Sequence, residues 1–214
     1  YYCFGCNAKG SAIGFVMEYE NLDYPAAIRR LADRVSITIT ESEDDPRARE
    51  QAKQRALLLE LHQQSANWFH SYLMQSDASD AENARHYLKE RGLDADIAKR
   101  WNIGFAPANG NLFAKWARES NYSGKLMAVS GLMSLRDENN PARGLYTRFR
   151  DRVMFPLNND FGETVAFSGR ITDPEAKTAK YVNSPETELF SKSKIFFGLD
   201  KSKRAITKAE SVIV

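Results

Sequence analysis

Val153-Met154-Phe155-Pro156-Leu157-Asn158-Asn159-Asp160-Phe161-Gly162-Glu163-Thr164-Val165-Ala166-Phe167-Ser168 holds two short apolar runs on either side of a turn. The runs Val153–Leu157 and Thr164–Ser168 are β-branched and aromatic. Asn158–Gly162 between them is rich in residues that accept tight-turn dihedrals, so the stretch predicts an antiparallel hairpin. Upstream the period changes. From Arg47 to about Gln75, the residues Leu58, Leu61, Ser65, Trp68, Phe69 and Tyr72 fall at i+3 and i+4 steps, which predicts a long helix whose stripe faces a core. A helix from about Asp80 to Arg91 stops at Gly92, and Asp94 caps a short one ending near Trp101. Ile103–Pro107 reads as a strand, Leu112–Arg118 and Lys125–Val129 as helices, and from Gly131 onward the period is two. The fold class is α+β, with a helical region first and a mainly antiparallel sheet after it.

Further toward the N-terminus the character differs again. Tyr1-Tyr2-Cys3-Phe4-Gly5-Cys6 holds the only two cysteines in the sequence. A structural zinc takes four tetrahedral ligands, and two thiolates on one tight turn supply two of them. A redox dithiol would need a βαβ setting, which is missing around Cys3 and Cys6, so zinc is the favoured reading. His62, His70 and His86 lie 8 and 16 residues apart, which puts no two of them at helical metal-pair spacing; they read as surface or half-buried residues. Ser11 caps a helix to about Glu20, whose apolar residues Ile13, Phe15, Val16, Met17 and Tyr19 are too dense for solvent. Asp23 and Pro25 start the next helix, with Ala27, Ile28, Leu31 and Ala32 on one face. Four acids and a proline in 41–46 mark a linker.

With 214 residues, 43% hydrophobic and 27% charged, the chain can bury one core and a small satellite module. No apolar run reaches the roughly 20 residues of a membrane span, and no secretory pattern opens the chain; a reducing, cytoplasmic location is expected, with no membrane partner. The starting residue Tyr1 and the apolar run ending at Val214 predict an internal fragment. Net charge is +2, yet residues 143–208 hold 13 Lys/Arg against 8 Asp/Glu, while 1–142 hold 17 against 19. That asymmetry predicts an anionic partner for the C-terminal part.

Within that part, Arg148-Phe149-Arg150-Asp151-Arg152 alternates cations just before the buried run. As a strand it would place Arg148, Arg150 and Arg152 on one face, suited to a phosphate backbone because unpaired burial would be prohibitive; a solvated sheet face is the plainer reading. Arg170 ends the next strand. Lys180-Tyr181-Val182-Asn183-Ser184-Pro185 reads as a polar loop whose Tyr181 beside Lys180 suits a stacked base and its phosphate, and Lys192 and Lys194 follow.

The order of these strings resembles the bacterial-type, DnaG-like DNA primases over essentially the whole chain. Tyr1–Cys6, Ala12–Glu18 and Leu22–Pro25 are similar to the second half of the family's Cys-His-Cys-Cys zinc ribbon. Ile103–Pro107, Arg148–Pro156, Phe167–Arg170, Lys180–Thr187 and Lys192 with Phe197–Leu199 resemble the N-terminal subdomain of its RNA polymerase domain. The resemblance implies an end of a zinc ribbon over 1–40, an acidic linker over 41–46, the polymerase subdomain over 47–210, and a truncated first Toprim strand over 211–214. It implies zinc at a half site of Cys3 and Cys6, with a Cys-Pro-x-His about 15 to 20 residues before Cys3. It also implies a groove for single-stranded DNA template and RNA primer, at which Arg100, Arg170, Lys180 and Lys192 occupy matching positions. NTPs would be joined by 3′-hydroxyl attack on the α-phosphate, with magnesium or manganese held by Toprim acids that this sequence lacks, so the fragment alone is expected to be inactive. A replicative helicase would dock on a C-terminal domain also lacking here. The alternative is a non-catalytic zinc-ribbon module of a mobile element that binds single-stranded nucleic acid. A transcription regulator would need a duplex-reading helix rich in Arg or Asn, which is missing from the sequence.

Overall fold

The computed structural model describes residues 1–5, 9–20, 22–37, 46–137, 139–173 and 175–209, with Pro141 described through its backbone alone. The chain divides into two compact units, 1–49 and 50–214.

In the first unit, Tyr2 bridges Lys9, and the Gly10 amide donates to the Tyr1 carbonyl at 3.1 Å. This closes a hairpin around the Cys3 turn; Cys6 lies outside the described residues. Helix α1 (Ala12–Tyr19) starts where the Ser11 hydroxyl accepts from the Gly14 amide at 3.0 Å. Helix α2 (Tyr24–Arg34) starts where Asp23 accepts from Ala26 at 2.8 Å, with Pro25 in its first turn. Ala27 and Ala32 of α2 are buried, with Ile28 and Leu31 partly covered. The apolar residues of α1 depart from expectation, because none is buried and Tyr19 is 78% exposed. Phe15 instead stacks on Tyr19 at 5.4 Å and meets Tyr1 edge-on at 5.1 Å. An aromatic cluster thus replaces core burial in a unit too small to enclose them. Residues 41–45 of the expected acidic linker, and the apolar run 211–214, lie outside the described residues.

The second unit carries all but the first four residues of α3 (Pro46–Gln75), then α4 (Ser79–Glu90), α5 (Ala95–Trp101), β1 (Gly104–Ala106), α6 (Asn111–Glu119), α7 (Gly124–Val129), β2 (Met133–Leu135), β3 (Leu145–Thr147), β4 (Arg152–Asn158), β5 (Thr164–Ile171), β6 (Tyr181–Asn183) and α8 (Leu199–Ala209). An antiparallel sheet runs in the order β1-β4-β5-β6, and β2 and β3 form a separate two-stranded ribbon. The expected hairpin is β4–β5, with Phe155 opposite Ser168 and Pro156 opposite Phe167. One sheet face presents Met154 and Phe167 to Leu61 and Phe69 of α3 and Phe113 of α6. Phe105 and Val153 of the other face pack against Leu73, Leu88 and Ala98. Helices α4 and α5 therefore cover this second face at its β1–β4 end.

Three readings are corrected. The segment 148–151 is not strand, because β3 ends at Thr147 and Asp151 takes a left-handed φ of 52°. Residues 181–183 form an edge strand, paired through Gly169 opposite Val182, rather than a loop. Helix α8 follows the sheet, where helices were expected only before it; its amphipathic pattern buries no residue.

His62 is the fourth departure: it is fully buried and stacks on Phe167 at 5.9 Å. Its Nδ1 donates to the Leu58 carbonyl at 2.7 Å. Burial pushes its pKa below 6.5, against the opposing hydrogen bonds to the Leu58 and Ser130 backbones. Because the folded pKa is depressed, the unfolded chain takes up the proton first. The contribution of His62 to stability is therefore flat above pH 6.5 and declines as pH falls through the interval between its two pKa values. Urea midpoints measured between about pH 7.5 and about pH 5.5 should drop for the wild type and drop less for His62→Gln. An equally steep decline in the variant would place the titrating group elsewhere.

Candidate nucleic-acid interface

Beyond the cover of α4 and α5, the second sheet face is open. Arg170 of β5 stands directly opposite Tyr181 of β6. Their pairing is a hydrogen bond from Arg170 Nη1 to the Tyr181 hydroxyl. The guanidinium also lies 5.2 Å from the Tyr181 ring centroid and 5.9 Å from that of Tyr87 on α4. Its pKa is held above the ordinary value: burial lowers it, but the hydrogen bond to Tyr181 and the neighbouring phenols outweigh that. Arg170 is thus a cation held beside two aromatic rings on the open part of the sheet face.

Next to this pair is a pocket of about 340 Å³, lined by Phe155, Ser168, Tyr181, Asn183, Lys192 and Phe197 among others. Apart from Ser168, Asn183 and Lys192 its lining is aromatic and aliphatic. Lys192 is fixed through its backbone amide, which donates to Glu186 at 2.9 Å, leaving the ammonium exposed. Lys180 is exposed at the entry to β6. The structure therefore brings Arg170, Tyr181 and Lys192 to one open region, with Lys180 beside Tyr181 in the chain.

The remaining candidates go elsewhere. Arg152 is buried at 5% exposure. Its Nη1 reaches the carbonyls of Gly169 and Lys180, both at 3.4 Å, and its Nη2 reaches the Thr178 hydroxyl at 3.3 Å. The expectation that all three arginines of the string face a ligand fails here, because three acceptors compensate the burial. Arg152 braces the backbone that carries Lys180. Arg148 is half-buried and donates to the Ser134 hydroxyl at 3.0 Å. Arg150 is exposed over the Tyr146 ring at 6.0 Å, in a different pocket. Arg100 is exposed on α5 and lines none of these pockets, while its neighbour Trp101 stacks on Phe197 at 5.6 Å. Sequence reading missed Tyr87 and Asn183: Tyr87 lies in a helix far along the chain, and an amide in a presumed loop carried no signal.

Cys3 is exposed in its turn, and a side chain at Gly5 would meet nothing nearer than the Cys3 sulfur at 3.9 Å. Among the described residues no cluster of three His, Cys, Asp or Glu is assembled. Among the same residues no helix is long and apolar enough to cross a membrane.

Comparison with known proteins defines the class. Residues 1–47 match the CHC2 zinc finger, and residues 68–203 match the DNA primase catalytic core, N-terminal domain. The DNA primase of Listeria monocytogenes is 34% identical over 99% of this chain, and that of Lactococcus lactis 36% identical over 99%. The chain spans 33% and 32% of their lengths, about a third. The RNA polymerase domain of Mycobacterium tuberculosis primase DnaG superposes with a TM-score of 0.64 at 34% identity, covering 72% of this chain and 48% of that one. A DnaG primase catalytic domain bound to ssDNA gives 0.63 at 32% identity, covering 72% and 47%. The Aquifex aeolicus primase, with its zinc-binding and RNA polymerase domains, gives 0.61 at 25% identity and covers 97% of this chain and 47% of that one. The two matched models together describe a zinc finger followed by the start of a primase catalytic core. The chain belongs to the DnaG-type DNA primase family.

An acidic cleft borders this region, lined by Asp80, Asp151 and Asp173. Burial raises the Asp151 pKa above 3.8, Asp80 and Asp173 add to the rise, and Arg152 opposes it. With the folded pKa raised, the ionised carboxylate costs stability at neutral pH, and the cost vanishes below pH 3.8. Asp151→Asn keeps the left-handed backbone, which asparagine accepts, and removes the charge. Its melting temperature should exceed the wild type at neutral pH and match it in acid below the carboxylate range; an advantage undiminished in acid would refute the charge explanation.

Proposed function

We propose that this chain is the template-handling part of a primase that makes short RNA primers on single-stranded DNA. The observation that carries the reading is the Arg170–Tyr181 pair on an open sheet face beside Lys192, in a chain of the primase family. The relative with ssDNA bound shares this fold, which supports a nucleic-acid strand as the occupant.

The roles follow from the chemistry of each group. Tyr181 offers a ring for a base, while Arg170, Lys180 and Lys192 neutralise phosphates. Such contacts position a strand without reading it. Arg152 serves them indirectly, through the Lys180 carbonyl. Arg100 and Arg150 are exposed cations outside this region, and Arg148 is held by the Ser134 hydroxyl. Transfer of a nucleotide to a primer 3′-hydroxyl would need magnesium or manganese, which Toprim acids would hold elsewhere in a complete primase. What this part contributes is position and charge. A replicative helicase remains the proposed partner of the complete protein, and the cytoplasm of a bacterial or phage-infected cell its proposed location. The domain limits proposed from the sequence, 1–40, 41–46, 47–210 and 211–214, stand with this reading.

Cys3 and Cys6 would hold zinc as thiolates, giving the hairpin a cross-link that its small core lacks. Metal analysis after zinc loading should find zinc lost from Cys3→Ser with Cys6→Ser, and equal zinc in that variant would overturn the assignment.

For the strand, each lost phosphate contact should reduce the slope of log K against log salt by about 0.7. Lys180→Ala with Lys192→Ala should flatten it by about 1.4 in anisotropy titrations of a labelled oligonucleotide, with little change in sequence preference. Lys53→Ala with Arg55→Ala, on the exposed side of α3, should leave it unchanged. A control pair that flattened the slope equally would mean diffuse electrostatics rather than a defined site.

A further inference from the structure

A second basic pocket lies away from the Arg170 site, where the start of α6 meets the β2–β3 ribbon. It has a volume of about 250 Å³, and its lining includes Arg136, Arg150, Thr147, Asn109 and Asn111 but no carboxylate. We propose that this pocket binds a phosphate group, with Arg136 and Arg150 as its two cationic arms.

Four observations converge on an anion. The two guanidiniums enter one concave space, and among the described residues neither has an ion pair. Arg150 is kept on the pocket wall by the Tyr146 ring, 6.0 Å from its guanidinium carbon. Thr147 is 5% exposed and lines the pocket, yet its hydroxyl makes no hydrogen bond among the described residues. That hydroxyl is not among the buried polar atoms left without a partner, so it reaches the surface, where a ligand can accept from it. Finally, the nine-residue helix α6 starts at this wall with Gly110 as its cap, where Asn109 Oδ1 accepts from the Asn111 amide and the Asn109 carbonyl from the Leu112 amide, both at 3.1 Å. Backbone N–H groups at a helix start carry partial positive charge, so the dipole, both arginines and the hydroxyl donor all favour the same ligand. Gly110 keeps the space open, since a Cβ there would collide with the Thr147 hydroxyl and come within 3.1 Å of Arg150 Cδ.

The pocket is a site of its own. Between it and Arg170 runs the acidic cleft of Asp80, Asp151 and Asp173, which shares Ala108 with the pocket and Tyr87 with the Arg170 site. A phosphate backbone crossing those carboxylates would be repelled. The ligand chemistry is therefore a phosphate group delivered separately, either from a polynucleotide backbone or from a free nucleotide. Planar guanidinium forks suit both, because each presents parallel N–H donors to phosphate oxygens. This inference does not depend on the Arg170–Tyr181 assignment, and the two can fail independently.

The test is NMR of the full chain titrated with inorganic phosphate at ionic strength held constant with sodium chloride. Saturable shifts are expected at the Gly110 and Asn111 amides and at the side-chain Nε–H of Arg136 and Arg150. Arg136→Gln with Arg150→Gln should weaken binding by about tenfold or more, as two charge-assisted bonds are lost. Thr147→Ser, which keeps the hydroxyl, should retain binding, and Thr147→Val should weaken it. Lys180→Ala with Lys192→Ala should leave the phosphate-dependent shifts of Arg136 and Arg150 as in the wild type, which separates this pocket from the strand site. Displacement of phosphate by oligothymidine alone assigns a backbone source, and displacement by a nucleoside triphosphate alone assigns a free nucleotide. Absence of saturable shifts, unchanged affinity in the arginine double variant, or displacement by neither competitor would overturn the proposal.

Discussion

At Gly104 the backbone of β1 lies against the backbone of α3. A Cβ there would stand 2.5 Å from the Phe69 carbonyl carbon and from its Cβ, and 2.7 Å from the His70 amide. No side chain larger than hydrogen fits, so α3 can seat directly on the sheet. That approach places Phe69 over Phe167 and Phe113, at 5.7 and 4.7 Å between rings, and the core of one sheet face assembles around them. It also brings His70 Nδ1 to the Ile103 carbonyl at 2.7 Å, which satisfies a backbone acceptor at the strand entry. With one face closed by α3, and α4 and α5 covering one end of the other, the strands β5 and β6 keep an open surface.

The arginines near β4 illustrate how one residue type takes on different tasks when its surroundings change. Arg152 is buried and lies within reach of two carbonyls and a hydroxyl. Burial lowers its pKa, and the adjacent Asp151 opposes the shift. Its value is in ordering the segment that ends at Lys180. Arg170 is held beside two aromatic rings on the open part of the sheet face. Arg150 was displaced from the expected sheet face by the left-handed turn at Asp151, and so reaches the ribbon instead. The acidic cleft divides the basic surface into separate regions, so the excess of positive charge in this part of the chain does not form a continuous field.

Much of the fold was legible because local signals agreed with the final packing. The caps at Ser11, Asp23 and Asp94 were readable as side chains that accept from amides three residues on. The stripe of α3 was readable because its period matches a helix with one buried side. The β4–β5 hairpin was readable because two apolar runs flank a turn of asparagine, aspartate and glycine. Where the sequence misled, a long-range contact had overruled a local pattern. Alternation over 148–152 resembled a strand, but Asp151 breaks it. His62 looked like an ordinary polar residue on a helix, and Phe167, more than a hundred positions later, stacks upon it.

Strings in their order along the chain were enough to indicate a primase, since a family resemblance needs no coordinates. Periodicity and capping likewise determined helices, hairpin and class, because they act between neighbours a few residues apart. The tertiary structure alone decided which cations face solvent together. Arg170 meets Tyr87 and Tyr181 only after α4 and β6 have docked on β5, and Arg136 meets Arg150 only when the ribbon closes over the start of α6. Those pairings depend on distances between segments remote in sequence, and side-chain spacing carries no record of them.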